Sequence, residues 1–207
     1  MPTVACKRIF KVASHLSHRT IAPKLEGGVR CDPMKMVPTG LPDVLVLELE
    51  HFDDRRGRFI RHWDFSAWTD VGIGPFVQDN VSHSKPGVLR GLHFQTKSPQ
   101  GKLVSVMSGC IYDVVVDIRR DSPNFGRWVG IHLSADVPRQ LWVPPGFAHG
   151  FCTPEGSAVV HYRCTTPYEP DHQGGIRWNC PELDVRWPMN SPVLSERDQQ
   201  WPTLSGH

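Results

Sequence analysis

From residue 44 onward the chain is built of short runs of β-branched, aromatic and aliphatic residues, each closed by turn-forming positions. The runs cover 44–49, 59–63, 76–78, 88–94, 103–107, 111–118, 128–133, 140–143 and 158–164. Between them lie Ser108-Gly109, Pro123-Asn124, Pro144-Pro145-Gly146 and Pro154-Glu155-Gly156. Many short strands with a turn signal at each break predict an all-β chain, an antiparallel sandwich or jelly roll. Only 66–71 and the C-terminal 195–200 read as helices, each opened by a residue able to cap it. Helices are therefore expected to be few and short.

A chain of 207 residues with 39% hydrophobic content is long enough for one buried core and short for two. The pattern divides it into 1–37 and a jelly-roll domain, 38–207. The first segment lacks any hydrophobic period and holds seven Lys/Arg against Glu26 and Asp32, leaving 16 basic and 19 acidic residues in the remainder. Three readings stand for it: a disordered basic extension, an organellar transit peptide, or residues upstream of the true start, with Met34 or Met36 initiating. The body's slight acidity argues against nucleic acid as a partner. No apolar run approaches the roughly 18 residues that cross a bilayer. The six cysteines (Cys6, Cys31, Cys110, Cys152, Cys164 and Cys180) show no Cys-x-x-Cys spacing, which suits reduced thiols in a cytoplasmic protein rather than a zinc knuckle or a disulfide framework.

The stretch 88–95 concentrates the chemistry. Strict strand alternation would put His93 on one face with Leu89, Gly91 and Gln95, and Arg90 on the other with Val88, Leu92 and Phe94. A strand histidine is commonly a hydrogen-bonded structural residue. Here it has company: Arg90, Lys102, His149 in Phe147-Ala-His-Gly-Phe151, and Tyr162 in Val159-Val-His-Tyr-Arg163 would meet if the strands close around one barrel mouth. Such a basic cluster suits an anionic substrate whose reaction passes through an enolate, and a sugar nucleotide fits.

The chain from 41 to 202 resembles the dTDP-4-dehydrorhamnose 3,5-epimerases, cupin-like jelly-roll (double-stranded β-helix) enzymes of deoxysugar biosynthesis. The matching motifs include Pro42-Asp43-Val44-Leu45, Asp54-Arg55-Arg56-Gly57, Phe76 to Asn80, Val88 to Gln95, Gln100 to Val104, Asp113-Val-Val-Val-Asp117, Ser122 to Gly126, Gly146 to Phe151 and Leu194-Ser-Glu-Arg-Asp198. The resemblance implies epimerisation of a dTDP-4-keto-6-deoxyhexose at C3 and C5, both α to the C4 ketone. Inversion there needs a base, an acid on the opposite face and a group that steadies the enolate. His93 matches the base, Asp198 its carboxylate partner, Tyr162 the acid and Lys102 the enolate's cation. Arg56 and Arg90 match the family's diphosphate-binding arginines, Gln78 and Asn80 line the same site, and His149 and Phe59 belong to the substrate-binding set. A homodimer is implied, in which residues 54–59 help complete the neighbour's pocket. Neither a cofactor nor a metal is expected, nor a membrane partner.

The match has departures. Arg61 stands where many members carry glutamate, Val81 where a histidine is frequent, and Pro167 where an aromatic commonly stacks on the nucleobase. These touch the identity of nucleotide and sugar, and leave a single-centre epimerase of another 4-keto sugar nucleotide as the alternative. Considered alone, Tyr162 would serve equally as a core phenol and Asp198 as a helix-surface carboxylate. A metal-dependent cupin would need more ligands than His93 and His149 supply. A catalytically silent binding module would have lost the base or the acid.

Overall fold

The computed structural model describes residues 34–206. In chain order it contains β1 (Met34–Pro38), β2 (Leu45–Leu49), β3 (His51–Asp54), β4 (Gly57–Ile60), α1 (Phe65–Asp70), β5 (Gln78–Ser84), β6 (Leu89–Gln95), β7 (Lys102–Ser108), β8 (Cys110–Asp117), β9 (Trp128–Ser134), β10 (Arg139–Val143), β11 (Phe147–Cys152), β12 (Ala158–Cys164), β13 (Gln173–Gly175) and α2 (Glu196–Gln200). Six strands form one antiparallel sheet in the order β1-β2-β10-β7-β12-β5, and five form a second, β13-β6-β11-β8-β9. Among the described residues β3 and β4 pair only with each other, as a hairpin. The two sheets face one another as an all-β, cupin-like jelly roll, as the pattern predicts.

Alternation assigns the side chains. On β7, Val104 and Val106 point between the sheets, where they join Ile111, Val115, Leu141, Val143, Phe147, Phe151 and Val160 in the main core. Leu103 points the other way and packs with Leu47, Trp68, Ile73 and Trp142 beneath α1. β8 is buried on both faces: Val114 and Val116 meet a third cluster built with Ile176, Cys180, Leu183 and Trp187 from the C-terminal coil. That explains why 111–118 reads as a nearly unbroken apolar run.

Several boundaries differ from the sequence reading. β1 occupies 34–38 and pairs with β2 from Met34↔Leu49 to Pro38↔Leu45, so the division at 37/38 cuts through a strand. Its two methionines pack against the cluster beneath α1, an alternation too short to register. Residues 1–33 of the expected extension lie outside the described residues. The run at 76–78 leads into a longer polar strand, β5, and β11 was not among the predicted runs because His149 and Gly150 interrupt its hydrophobicity. Both expected helices form, so they are not confined to the C-terminus; the first runs one residue earlier than read, and its cap is Asp64 rather than Ser66, the Asp64 carboxylate accepting from the Ala67 amide at 3.0 Å. Ser195 caps α2, accepting from the Asp198 amide at 3.1 Å. Among the described residues no helix is long and apolar enough to cross a membrane.

Candidate active site

At one end of the barrel the inward positions change from apolar to polar, leaving a cavity of about 690 Å³ between the sheets. Pairing shows how the larger sheet builds its wall. Lys102 on β7 lies opposite Cys164 on β12, which lies opposite Gln78 on β5. One step along the same face, Val104, Tyr162 and Asn80 form the next row. Directly opposed residues share a face, so Gln78, Asn80, Lys102 and Tyr162 line one side together. The smaller sheet supplies the other side: His93 on β6 pairs with His149 on β11.

Strict alternation would have sent Arg90 to the opposite face from His93. The ladder between β6 and β11 instead slips: His93 pairs with His149, but Arg90 pairs with Phe151. Three steps on β6 are thus matched by two on β11, a β-bulge that restores both Arg90 and His93 to the cavity side. Two glycines make room for it. A β-carbon on Gly91, which sits at φ +133°, would lie 2.5 Å from the α-carbon of Gly150.

His93 and Asp198 meet at 2.5 Å, Nε2 to Oδ1. Asp198 is almost wholly buried, and the same oxygen accepts from Trp201 Nε1 at 3.2 Å. Burial alone would raise its carboxyl; the hydrogen bond and charge of His93, with Ser195 and Trp201, outweigh it and hold the carboxyl below the ordinary range. With Nε2–H donated to Asp198, the lone pair sits on Nδ1. Trp201 is seated against Gly175, where a β-carbon would fall 2.3 Å from its ring.

On the other wall, burial pushes the Tyr162 phenol above its ordinary value, with Cys164 and Tyr168 adding to the shift and Arg90 opposing it. The hydroxyl therefore keeps its proton at neutral pH, as an acid must. Burial pulls the Lys102 ammonium below lysine's usual range, against the attraction of Cys164 and Asp113. His149 is held from behind, its Nε2 2.9 Å from the buried carboxylate of Asp113. Arg90 stands at the rim, its Nε donating to Ser84 Oγ at 3.1 Å.

Of the ten residues singled out from the sequence, eight line this cavity: His93, Tyr162, Asp198, Lys102, Arg90, Gln78, Asn80 and His149. Arg56 and Phe59 do not. They lie on the exposed β3–β4 hairpin, where Arg56 pairs with Asp54 at 2.6 Å and Phe59 is 68% exposed. The sequence reading missed Tyr168, Gln173 and Arg197 at the mouth. Tyr168 donates its hydroxyl to Gln173 at 2.7 Å, and Arg197 donates to both. An aromatic thus stands one residue beyond Pro167, which itself does not line the cavity; the Thr-Pro-Tyr order was the available signal. Val81 points outward and is exposed, and Arg61 pairs with Glu50 at 3.5 Å. Among the described residues no three His, Cys, Asp or Glu side chains cluster as metal ligands would.

Residues 38–206 match the family model described as dTDP-4-dehydrorhamnose 3,5-epimerase. The dTDP-4-dehydrorhamnose 3,5-epimerase of Salmonella typhimurium is 47% identical over 176 residues, spanning 83% of this chain and 96% of that protein. The dTDP-6-deoxy-D-glucose-3,5-epimerase of Legionella pneumophila, solved in complex with dTDP-4-keto-L-rhamnose, superposes with a TM-score of 0.81 at 41% identity, covering 83% of this chain and 93% of that one. The dTDP-4-dehydrorhamnose 3,5-epimerase of Bacillus anthracis, with TDP and PPi bound, gives a TM-score of 0.79 at 47% identity over 82% of this chain and 99% of that one. On this agreement of sequence, fold and cavity, the chain belongs to the dTDP-4-dehydrorhamnose 3,5-epimerase family.

Proposed function

We propose that this chain is an isomerase that inverts C3 and C5 of a dTDP-4-keto-6-deoxyhexose, converting dTDP-4-dehydro-6-deoxyglucose to dTDP-4-dehydrorhamnose through enolates. The observation that carries the reading is the His93–Asp198 pair on one wall, at 2.5 Å, with Tyr162 on the opposite wall of the same cavity. His93 Nδ1 takes the proton from the carbon next to the ketone, and Asp198 steadies the imidazolium that results. The electron pair moves onto the C4 oxygen, where the buried Lys102 ammonium opposes the new charge. Tyr162 then returns a proton from the other face, and the configuration inverts. C3 and C5 flank one ketone, so a shift of the ring about the C4 carbonyl presents either hydrogen to the same base while Lys102 keeps the oxygen.

Arg90 at the rim suits the diphosphate, since a guanidinium fork matches phosphate oxygens. Gln78 and Asn80 supply amide groups for the rest of the substrate. Arg56 and Phe59 face away from their own chain's cavity, on a hairpin where Phe52 and Phe59 are both exposed with ring centroids 6.4 Å apart. In a homodimer this hairpin would complete the neighbour's pocket, and exposed Val81 and Met107 on the outer face of the larger sheet would lie beneath the partner. The four described cysteines are free thiols, in keeping with a cytoplasmic enzyme.

Incubating the protein with dTDP-4-keto-6-deoxyglucose in D2O tests the reading. Deuterium should enter at both C3 and C5 with net inversion. Label at one carbon alone would make this a single-centre epimerase, and no label would end the assignment.

A further inference from the structure

The connection from β12 to β13, residues 165–172, leaves the larger sheet and crosses to the smaller one at the mouth of the cavity, carrying Tyr168. Backbone groups need partners, and between 166 and 169 glutamine side chains supply them. Gln95, the last residue of β6 and 7% exposed, is the one that grips twice. Its Oε1 accepts from the Glu169 amide at 2.8 Å, while Nε2 donates to the carbonyls of Pro167 at 3.3 Å and Ser98 at 3.1 Å. One buried amide thus holds the chain on both sides of Tyr168 and ties it to the 96–101 loop, where Ser98 sits at φ +46°. The reverse orientation of the amide would set N–H against N–H and carbonyl against carbonyl, so all three bonds depend on a glutamine. Tyr168 itself donates its amide to Gln78 Oε1 at 2.8 Å and its hydroxyl to Gln173, the residue paired with Gln95 in the β6–β13 ladder.

Resting on the proposed function, we infer that Gln95 is a positioning residue for substrate binding, clamping the 165–172 crossing so that Tyr168 presents its ring to the nucleotide. The reacting sugar lies inward, between His93 and Tyr162 and beside buried Lys102. The diphosphate then passes Arg90 at the rim and the base comes to the mouth. There Tyr168 is 45% exposed, and an open aromatic face is what a nucleobase stacks on. The bonds of the Gln95 amide all go to backbone, two of them flanking Tyr168, so its effect on the nucleotide is exerted through that residue. Without the clamp the crossing would hold its binding-competent form for only part of the time, and apparent affinity falls in proportion to the fraction lost.

The test has two arms on the full chain. In the first, calorimetry with TDP, which needs no turnover, compares wild type, Gln95→Met, Tyr168→Ala and the double variant, with substrate kinetics alongside. Methionine keeps the length of the side chain and removes every hydrogen bond. One ordinary hydrogen bond is worth a factor of about 2 to 13, so with three lost Gln95→Met should bind TDP about tenfold or more weakly. KM for the sugar nucleotide should rise by more than kcat falls. In the Tyr168→Ala background Gln95→Met should cost little further, because both changes act on one contact. Unchanged TDP affinity, full additivity in the double variant, or a collapsed kcat with TDP binding intact would each overturn the inference. The second arm leaves Gln95 in place and decides the matter even if Gln95→Met does not fold. In wild type the Glu169 amide should be protected from hydrogen exchange, and more so with TDP bound; exchange at the rate of an open loop would mean that the clamp does not hold. Wild type that binds TDP yet takes no deuterium into the sugar would defeat the proposed reaction alone, whereas wild type that does not bind TDP would overturn both.

Discussion

Asp198→Asn is the substitution whose size the structure constrains best. The change is isosteric and removes one negative charge from a site where Oδ1 accepts from both His93, at 2.5 Å, and Trp201, at 3.2 Å. Two donors converging on that oxygen select the asparagine orientation that keeps a carbonyl there. The imidazole therefore keeps its proton on Nε2 and its lone pair on Nδ1, and the reacting nitrogen survives. What disappears is the charge assistance to the imidazolium formed as the proton is taken. A hydrogen bond to a charged group is worth about 1.5–3 kcal/mol. At 1.36 kcal/mol per tenfold in rate, kcat should fall by about 10- to 150-fold, with KM close to wild type. The melting temperature should hold, since a buried charge is being removed along with its pairing. Proton NMR of substrate in D2O gives the rate, and a thermal melt the fold. A rate within twofold of wild type would uncouple Asp198 from the base. A loss beyond about 10⁴-fold in a folded protein would mean the asparagine had flipped and imposed the wrong tautomer, refuting the orientation argument.

Tyr162→Phe should retain deuterium wash-in at C3 or C5 while losing net inversion, because reprotonation is left to the base side; inversion at wild-type rate would assign the acid elsewhere. Burial lowers Lys102 from 10.5 and raises Tyr162 from 10.0, so an alkaline fall in kcat below pH 10 belongs to Lys102 losing its charge, and Lys102→Arg should move it to higher pH. Arg90→Ala should raise KM for the sugar nucleotide more than it lowers kcat, since diphosphate contacts are alike in ground and transition states; an unchanged KM with a collapsed kcat would place Arg90 at the enolate. Gly91→Ala puts a methyl 2.5 Å from the Gly150 α-carbon at a φ of +133°, a strain of order 1–3 kcal/mol before any clash; melting several degrees lower with exchange largely lost is expected, and wild-type behaviour in both would contradict the bulge.

The sequence by itself determined the class of fold and the chemical kit. Period-two alternation and turn residues act over a few positions, so nine runs and two capped helices were legible without any knowledge of contacts, and the motifs around His93, Lys102, His149, Tyr162 and Asp198 supplied two imidazoles, an amine, a phenol and a carboxylate. The tertiary structure decided which of them meet. His93 and Asp198 are 105 residues apart in the chain, and only the docking of α2 against β6 brings them together. Alternation placed Arg90 and His93 on opposite faces; one residue of slip between β6 and β11 reversed that, and nothing in Arg-Gly-Leu-His distinguishes a bulge glycine from an ordinary one. Asp113 stayed hidden because a single acid in an apolar strand is explained only when His149 is seen against it, at 2.9 Å. Arg56 and Phe59 carry the family's motif yet lie outside this cavity, because the β3–β4 hairpin pairs with neither sheet. Local pattern fixes which face a side chain takes along an unbroken strand. Convergence, burial and charge pairing are long-range, and they exist only once the sheets have closed.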